Sequence, residues 1–117
     1  MATKDPQTIA KLARSRIAKI REELSKFEYL CSGTLLERTK MCGRPGCACA
    51  KDPTARHGPY IEWGHMAGGK LVHRQISAQQ ALSIRVAINN FRTVKKLLRE
   101  WEVQTERLID AEHRAQH

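Results

Sequence analysis

Apolar residues recur at helical spacing near both ends of the chain and at strand spacing in the middle. Asp5-Pro6 reads as an N-cap followed by proline at the first helical position. From there Ala10, Ala13, Ile17, Ile20, Leu24, Phe27 and Cys31 alternate steps of three and four. That is a heptad seam and predicts a helix to about Leu30. Cys31 fits the seam as a small apolar residue, and Gly33 as the helix terminator. Ser77 and Gln80 form a capping box that opens a second helix. Its seam is Ile84, Ala87, Phe91, Val94, Leu98, Trp101, Thr105 and Leu108, with Ile88 widening the apolar face beside Ala87. No glycine or proline interrupts it before about Arg114.

Between the helices, three stretches read as strands: 34–41, Tyr60 to Met66 and Lys70 to Ile76, the last two joined around Ala67-Gly68-Gly69. Two registers fit. A three-residue loop sets Glu62 opposite Arg74, and a two-residue Gly68-Gly69 turn sets Trp63 there instead. A sheet of this size is not stable alone. There is no internal repeat and no low-complexity linker. The organisation expected is one domain: an amphipathic helix over 1–32, a β module over 33–76 and a long helix over 77–117.

Composition explains why such a chain needs help to fold. Hydrophobic residues make up 41% of its 117 residues but aromatics only 5%, so a large private core is not expected. A metal staple and self-association are the remedies that fit. No apolar run approaches membrane-spanning length and no secretory signal pattern opens the chain, so no membrane partner and a cytoplasmic location are expected.

Four cysteines in such a chain point to metal rather than disulfides. Cys42, Cys47 and Cys49 fall among the turn formers Gly43, Pro45, Gly46 and Pro53, and His57 follows eight residues after Cys49. Three soft thiolates and an imidazole on tight turns suit a closed, structural zinc site. Such a site has formal charge −1, and Arg44, Lys51 and Arg56 lie beside it in sequence. The spacing is not one of the common zinc spacings. A loop of reduced thiols without metal is the plain alternative, and a redox role fits less well because no pair has two intervening residues. The full expectation is therefore an α+β fold: an antiparallel pair of long helices, a coiled-coil-like hairpin, enclosing a small three-stranded zinc-stapled β module.

The net charge is +9, which favours a polyanionic partner, nucleic acid being the commonest. Lys11, Arg14, Arg16, Lys19 and Arg21 mark the first helix, and no acid occurs from Ser77 to Arg99. Arg85, Arg92 and Arg99 are seven apart and form one stripe. Counting equal rises in a tight hairpin sets residue 17 level with residue 90, so the two basic runs converge. The phosphate-facing set expected is Arg14, Arg21, Arg44, Arg85, Arg92, Lys96 and Arg99. The plain alternative is a solvated basic face. Beyond residue 100 acids predominate, yet Trp101, Leu108 and Ile109 remain. The same count makes this end overhang the first helix, where those three residues would hold a second copy or another protein, unless they fold back onto the N-terminal tail.

Catalysis has weak support. His57, His65, His73 and Glu62 are the residues a hydrolase would need, and no known catalytic spacing joins them. A nuclease would want clustered carboxylates, and the module has only Glu37, Asp52 and Glu62. A cysteine nucleophile beside His57 is less apt than a metal site. No enzymatic activity is expected.

The run Cys42-Gly43-Arg44-Pro45-Gly46-Cys47-Ala48-Cys49, then His57-Gly58-Pro59-Tyr60, Gly69-Lys70 and a helix with Asn90 before a basic segment, resembles an uncharacterised family of small bacterial and archaeal proteins. The resemblance covers about residues 33 to 100. Members are often encoded beside transposase or other mobile-element genes, which implies an accessory DNA-binding role and no enzymatic activity. The chain departs from the family's pattern at Ala48, where a basic residue is usual, and at Asp52-Pro53-Thr54-Ala55, where a shorter glycine-containing loop is common.

Overall fold

The computed structural model describes residues 5–40 and 57–115. The order of elements is α1 (Pro6–Leu24), β1 (Thr34–Lys40), β2 (His57–Ala67), β3 (Lys70–Ile76) and α2 (Ala78–Ala115). The class is α+β, with two helices and a three-stranded antiparallel sheet in the order β1-β2-β3. No helix is long and apolar enough to cross a membrane among the described residues. The chain forms two compact units, residues 1–28 with 90–117 and residues 29–89. α2 contributes its first turns to one and the remainder to the other.

In the helical unit, α1 starts as its sequence demands, with Asp5 at the cap and Pro6 in the first turn. Ala10, Ala13 and Ile20 are buried and Ile17 and Leu24 half-buried, so the heptad seam holds through Leu24. The helix then stops short of Leu30. The Ser25 amide bonds the Arg21 carbonyl, and the Lys26 and Phe27 amides make shorter-range bonds to Glu23 and Leu24. The Ser25 hydroxyl also donates to the Glu22 carbonyl at 2.6 Å. These bonds satisfy the carbonyls that a helix end leaves open. Tyr29 and Leu30 are both half exposed, so no packing rewards a further turn.

α2 is unbroken over 38 residues, about 57 Å at 1.5 Å per residue. Val94, Leu97 and Ala111 are buried, and Trp101, Gln104 and Leu108 half-buried. Its buried stripe therefore passes through Leu97, and Leu98, expected in the seam, is 44% exposed.

The β-sheet unit is built on two glycine solutions. Gly68 and Gly69 both have positive φ, 57° and 81°, as a two-residue type I′ hairpin turn requires. Ala67 faces Lys70 across that turn and Trp63 faces Arg74, so the two-residue register is the one adopted. Glu62 faces Gln75, and its carboxylate reaches Arg38 on β1 at 3.4 Å. Gly33, expected to end a helix, has φ 116° and lies at the foot of β1. A Cβ there would come within 2.2 Å of the Gly64 carbonyl oxygen. Close backbone approach explains this glycine, not helix termination.

The same unit holds the start of α2. The Gln80 amide donates to Ser77 Oγ at 3.0 Å and the Ser77 amide to Gln80 Oε1 at 2.9 Å, the reciprocal capping box. The Cys31 amide donates to the Ala87 carbonyl and its thiol lies 3.9 Å from the Ile84 carbonyl. Cys31 is thus apolar packing beside α2, and partial burial raises its thiol pKa. Among the described residues, Ile76, Ala81, Ala87 and Ile88 are the buried apolar side chains of this unit.

Candidate functional site

Cys42, Cys47, Cys49 and Arg44 lie outside the described residues. The backbone at the base of their loop is described. Lys40, the last residue of β1, lies opposite His57, the first of β2. The stretch carrying the three cysteines is therefore closed at its base by a paired strand end, and one of those two paired residues is the expected imidazole ligand. β2 starts three residues before the expected Tyr60. Arg38 faces Tyr60, so between the two pairings β2 carries one residue more than β1. That stretch holds Gly58 and Pro59. Proline has no N–H to give to a ladder, and a bulge is where a sheet accommodates it. Among the described residues, no group of three or more His, Cys, Asp or Glu side chains is placed to hold a metal ion.

The sheet separates the residues a hydrolase would need. Gly64 faces His73, and His65 faces Val72. Adjacent strand positions point to opposite faces, so His65 lies on one face and Glu62 and His73 on the other. His65 and His73, on neighbouring strands, are thus kept on opposite faces by this register. His65 instead stacks on Trp63, ring centroids 3.6 Å apart and planes 11° from parallel, and its Nδ1 is buried without a hydrogen-bond partner among the described residues. Trp63 Nε1 donates to the Ser32 carbonyl at 2.9 Å. Trp63 is therefore used in packing.

The charged helices differ most from expectation. Arg16 donates from Nη2 to Glu100 Oε2 at 2.9 Å and from Nε to the other carboxylate oxygen, a two-pronged grip. These bonds hold the Glu100 carboxyl below its usual range and raise the Arg16 guanidinium. Arg14 pairs with Glu112. The later residue of α1 meets the earlier residue of α2, the order of an antiparallel pair. This register differs from the one counted on equal rises, which sets residue 17 level with residue 90. Two corrections follow. First, the basic run of α1 meets the acidic second half of α2, so the two basic runs do not converge, and Arg14 is held by a carboxylate. Second, α1 reaches Glu112 and Ala111 is buried at 1% exposure, so the segment after residue 100 does not overhang. The counted register requires a continuous helix to Leu30, and α1 ends at Leu24.

Arg85, Arg92, Lys96 and Arg99 are all exposed on α2, and Arg21 on α1. Trp101 and Leu108 are half-buried, and Ile109 is 59% exposed. The residues that sequence reasoning missed are Glu100 and Glu112 as partners of α1. The available signal is that Glu100 is the first acid after the acid-free run from Trp63 to Arg99.

The family described as Domain of unknown function (DUF6788) matches residues 9–85, more than half of the chain. The chain belongs to this family. The match takes in most of α1, the whole sheet and the first turns of α2. The family's description carries no activity or partner. No curated protein and no solved structure matches the chain.

Proposed function

We propose that this protein is a non-enzymatic, zinc-containing, nucleic-acid-binding accessory protein. The observation that carries the reading is the acid-free run from Ser77 to Arg99 on one unbroken helix. Arg85, Arg92 and Arg99 recur every seven residues there, about 10 Å apart along the axis, with Lys96 beside them. That separation exceeds the Debye length of about 8 Å at physiological salt, so the three cations act nearly independently and each can meet its own phosphate. Phosphates are the partners such a stripe suits, with affinity that does not depend on base sequence. DNA, and a place beside a mobile element, rest on the family resemblance alone. The pairing of Lys40 with His57 supports the metal reading, since it closes the cysteine-bearing loop on the sheet. Zinc held by Cys42, Cys47, Cys49 and His57 would supply cross-linking rather than catalysis.

The test is binding of a fluorescent DNA duplex, followed by anisotropy at several salt concentrations. Binding should weaken steeply with salt, and the triple variant R85A/R92A/R99A should flatten the log–log slope by about 3, near 0.9 per phosphate contact. An unchanged slope in the variant, or no binding by the wild type at about 50 mM salt, would sink the proposal.

A further inference from the structure

α1 covers only one side of the second half of α2. On another side, Leu98, Trp101, Thr105 and Ile109 line an open, mainly apolar groove of about 550 Å³, with Glu102, Glu106 and Asp110 on it. Leu98 and Ile109 are 44% and 59% exposed. Phe91, Leu98 and Thr105 are seven apart, and Glu102 and Ile109 fall on nearly the same line at 100° per residue. Lys95 stands at this face too, its Nζ 5.0 Å from the centre of the Phe91 ring. The face is therefore apolar along its middle, with a cation before residue 100 and acids after it.

We propose that the α2 helix of a second copy of this chain lies antiparallel on this face, centred near residue 100. The charge distribution selects both the partner and the direction. A two-fold pairing sets each end of the face against the other end of its copy. Phe91 is nine residues before the centre and Ile109 nine after, so the Phe91 ring meets the partner's Ile109, and the two Leu98 side chains meet beside the axis. Lys95 is five before, and Glu102 and Glu106 are two and six after, so Lys95 falls between the two carboxylates of the other copy. A parallel pairing would instead align Glu102 with Glu102 and Lys95 with Lys95. Arg92 and Arg99 lie further round the helix and are left to the basic stripe. Leu108 turns toward the α1 side and has no part in this contact, which differs from the surface expected from the sequence.

The experiment is sedimentation equilibrium of the full chain across the micromolar range. The wild type should approach twice the chain mass of 13.3 kDa. E102K/E106K sets cations against Lys95 and should weaken the dimer roughly 100-fold, with helicity by circular dichroism unchanged. Adding K95E to that variant should restore it, because Lys95 and these glutamates are too far apart along one helix to pair within it. Leu98→Asp should also yield monomer. A monomeric wild type throughout the range overturns the proposal. So does a dimer that E102K/E106K leaves intact, or one that K95E fails to restore.

Discussion

Arg16 grips Glu100 through two hydrogen bonds, and this pair fixes where α1 lies along the second half of α2. Without it, and without the companion pair of Arg14 with Glu112, α1 could slide along a seam built largely of alanine and isoleucine. Apolar seams of repeating character specify register weakly, and charged residues beside them specify it strongly.

The first prediction concerns acid. Glu100 has a folded pKa below its unfolded value, so its contribution is fully present above the ordinary carboxylate range, near 4.3, and is lost as pH falls through the folded value. Glu100→Gln should therefore be less stable than wild type at neutral pH. The difference should vanish well below pH 4, where wild-type Glu100 is itself neutral. Urea unfolding of both proteins at the two pH values checks it. A gap of equal size at both would mean that the side chain acts through shape rather than charge.

The second concerns two glycines with positive φ. Gly33→Ala places a Cβ at 2.2 Å from the Gly64 carbonyl oxygen and 2.7 Å from Trp63 Nε1. Backbone must move, and the loss should exceed about 3 kcal/mol. Gly69→Ala meets nothing within 4 Å, so only its φ of 81° is strained, at about 1–2 kcal/mol. Thermal unfolding should rank the two variants in that order. Equal losses would mean that Gly33 is needed for its dihedral alone.

The third concerns metal. Protein purified without chelator should carry one zinc per chain by elemental analysis, and Cys47→Ser should lose it. Because Lys40 pairs with His57 at the edge of the cysteine-bearing stretch, the variant should also lose protection of the sheet amides in hydrogen exchange. Metal-free wild-type protein with a protected sheet would leave the cysteines as ordinary loop thiols.

Local signals are legible where they are complete within a few residues. The Ser77–Gln80 box, the absence of any breaker through α2, the antiparallel strands and the glycine turn between them are all legible at short range. The choice between two hairpin registers was not. Glu62 opposite Arg74 and Trp63 opposite Arg74 are both sound pairs, and the positive φ of Gly68 and Gly69 decides between them. The end of α1 was missed for a related reason. Phe27 and Cys31 continue the heptad, but Phe27 lies beyond the last helical turn and Cys31 spends its amide on the Ala87 carbonyl.

The sequence by itself determined the element types, the apolar seam of α1 through Leu24, the segregation of charge along α2 and the glycine turn at Gly68-Gly69. Each follows from a period of two or 3.6, or from the chemistry of a single turn. Only the tertiary structure decided which carboxylates neutralise Arg14 and Arg16, that α1 covers the segment after residue 100, and that Leu97 rather than Leu98 turns inward. These depend on how far one helix is shifted along another. A repeating seam leaves that shift nearly degenerate until specific charges meet.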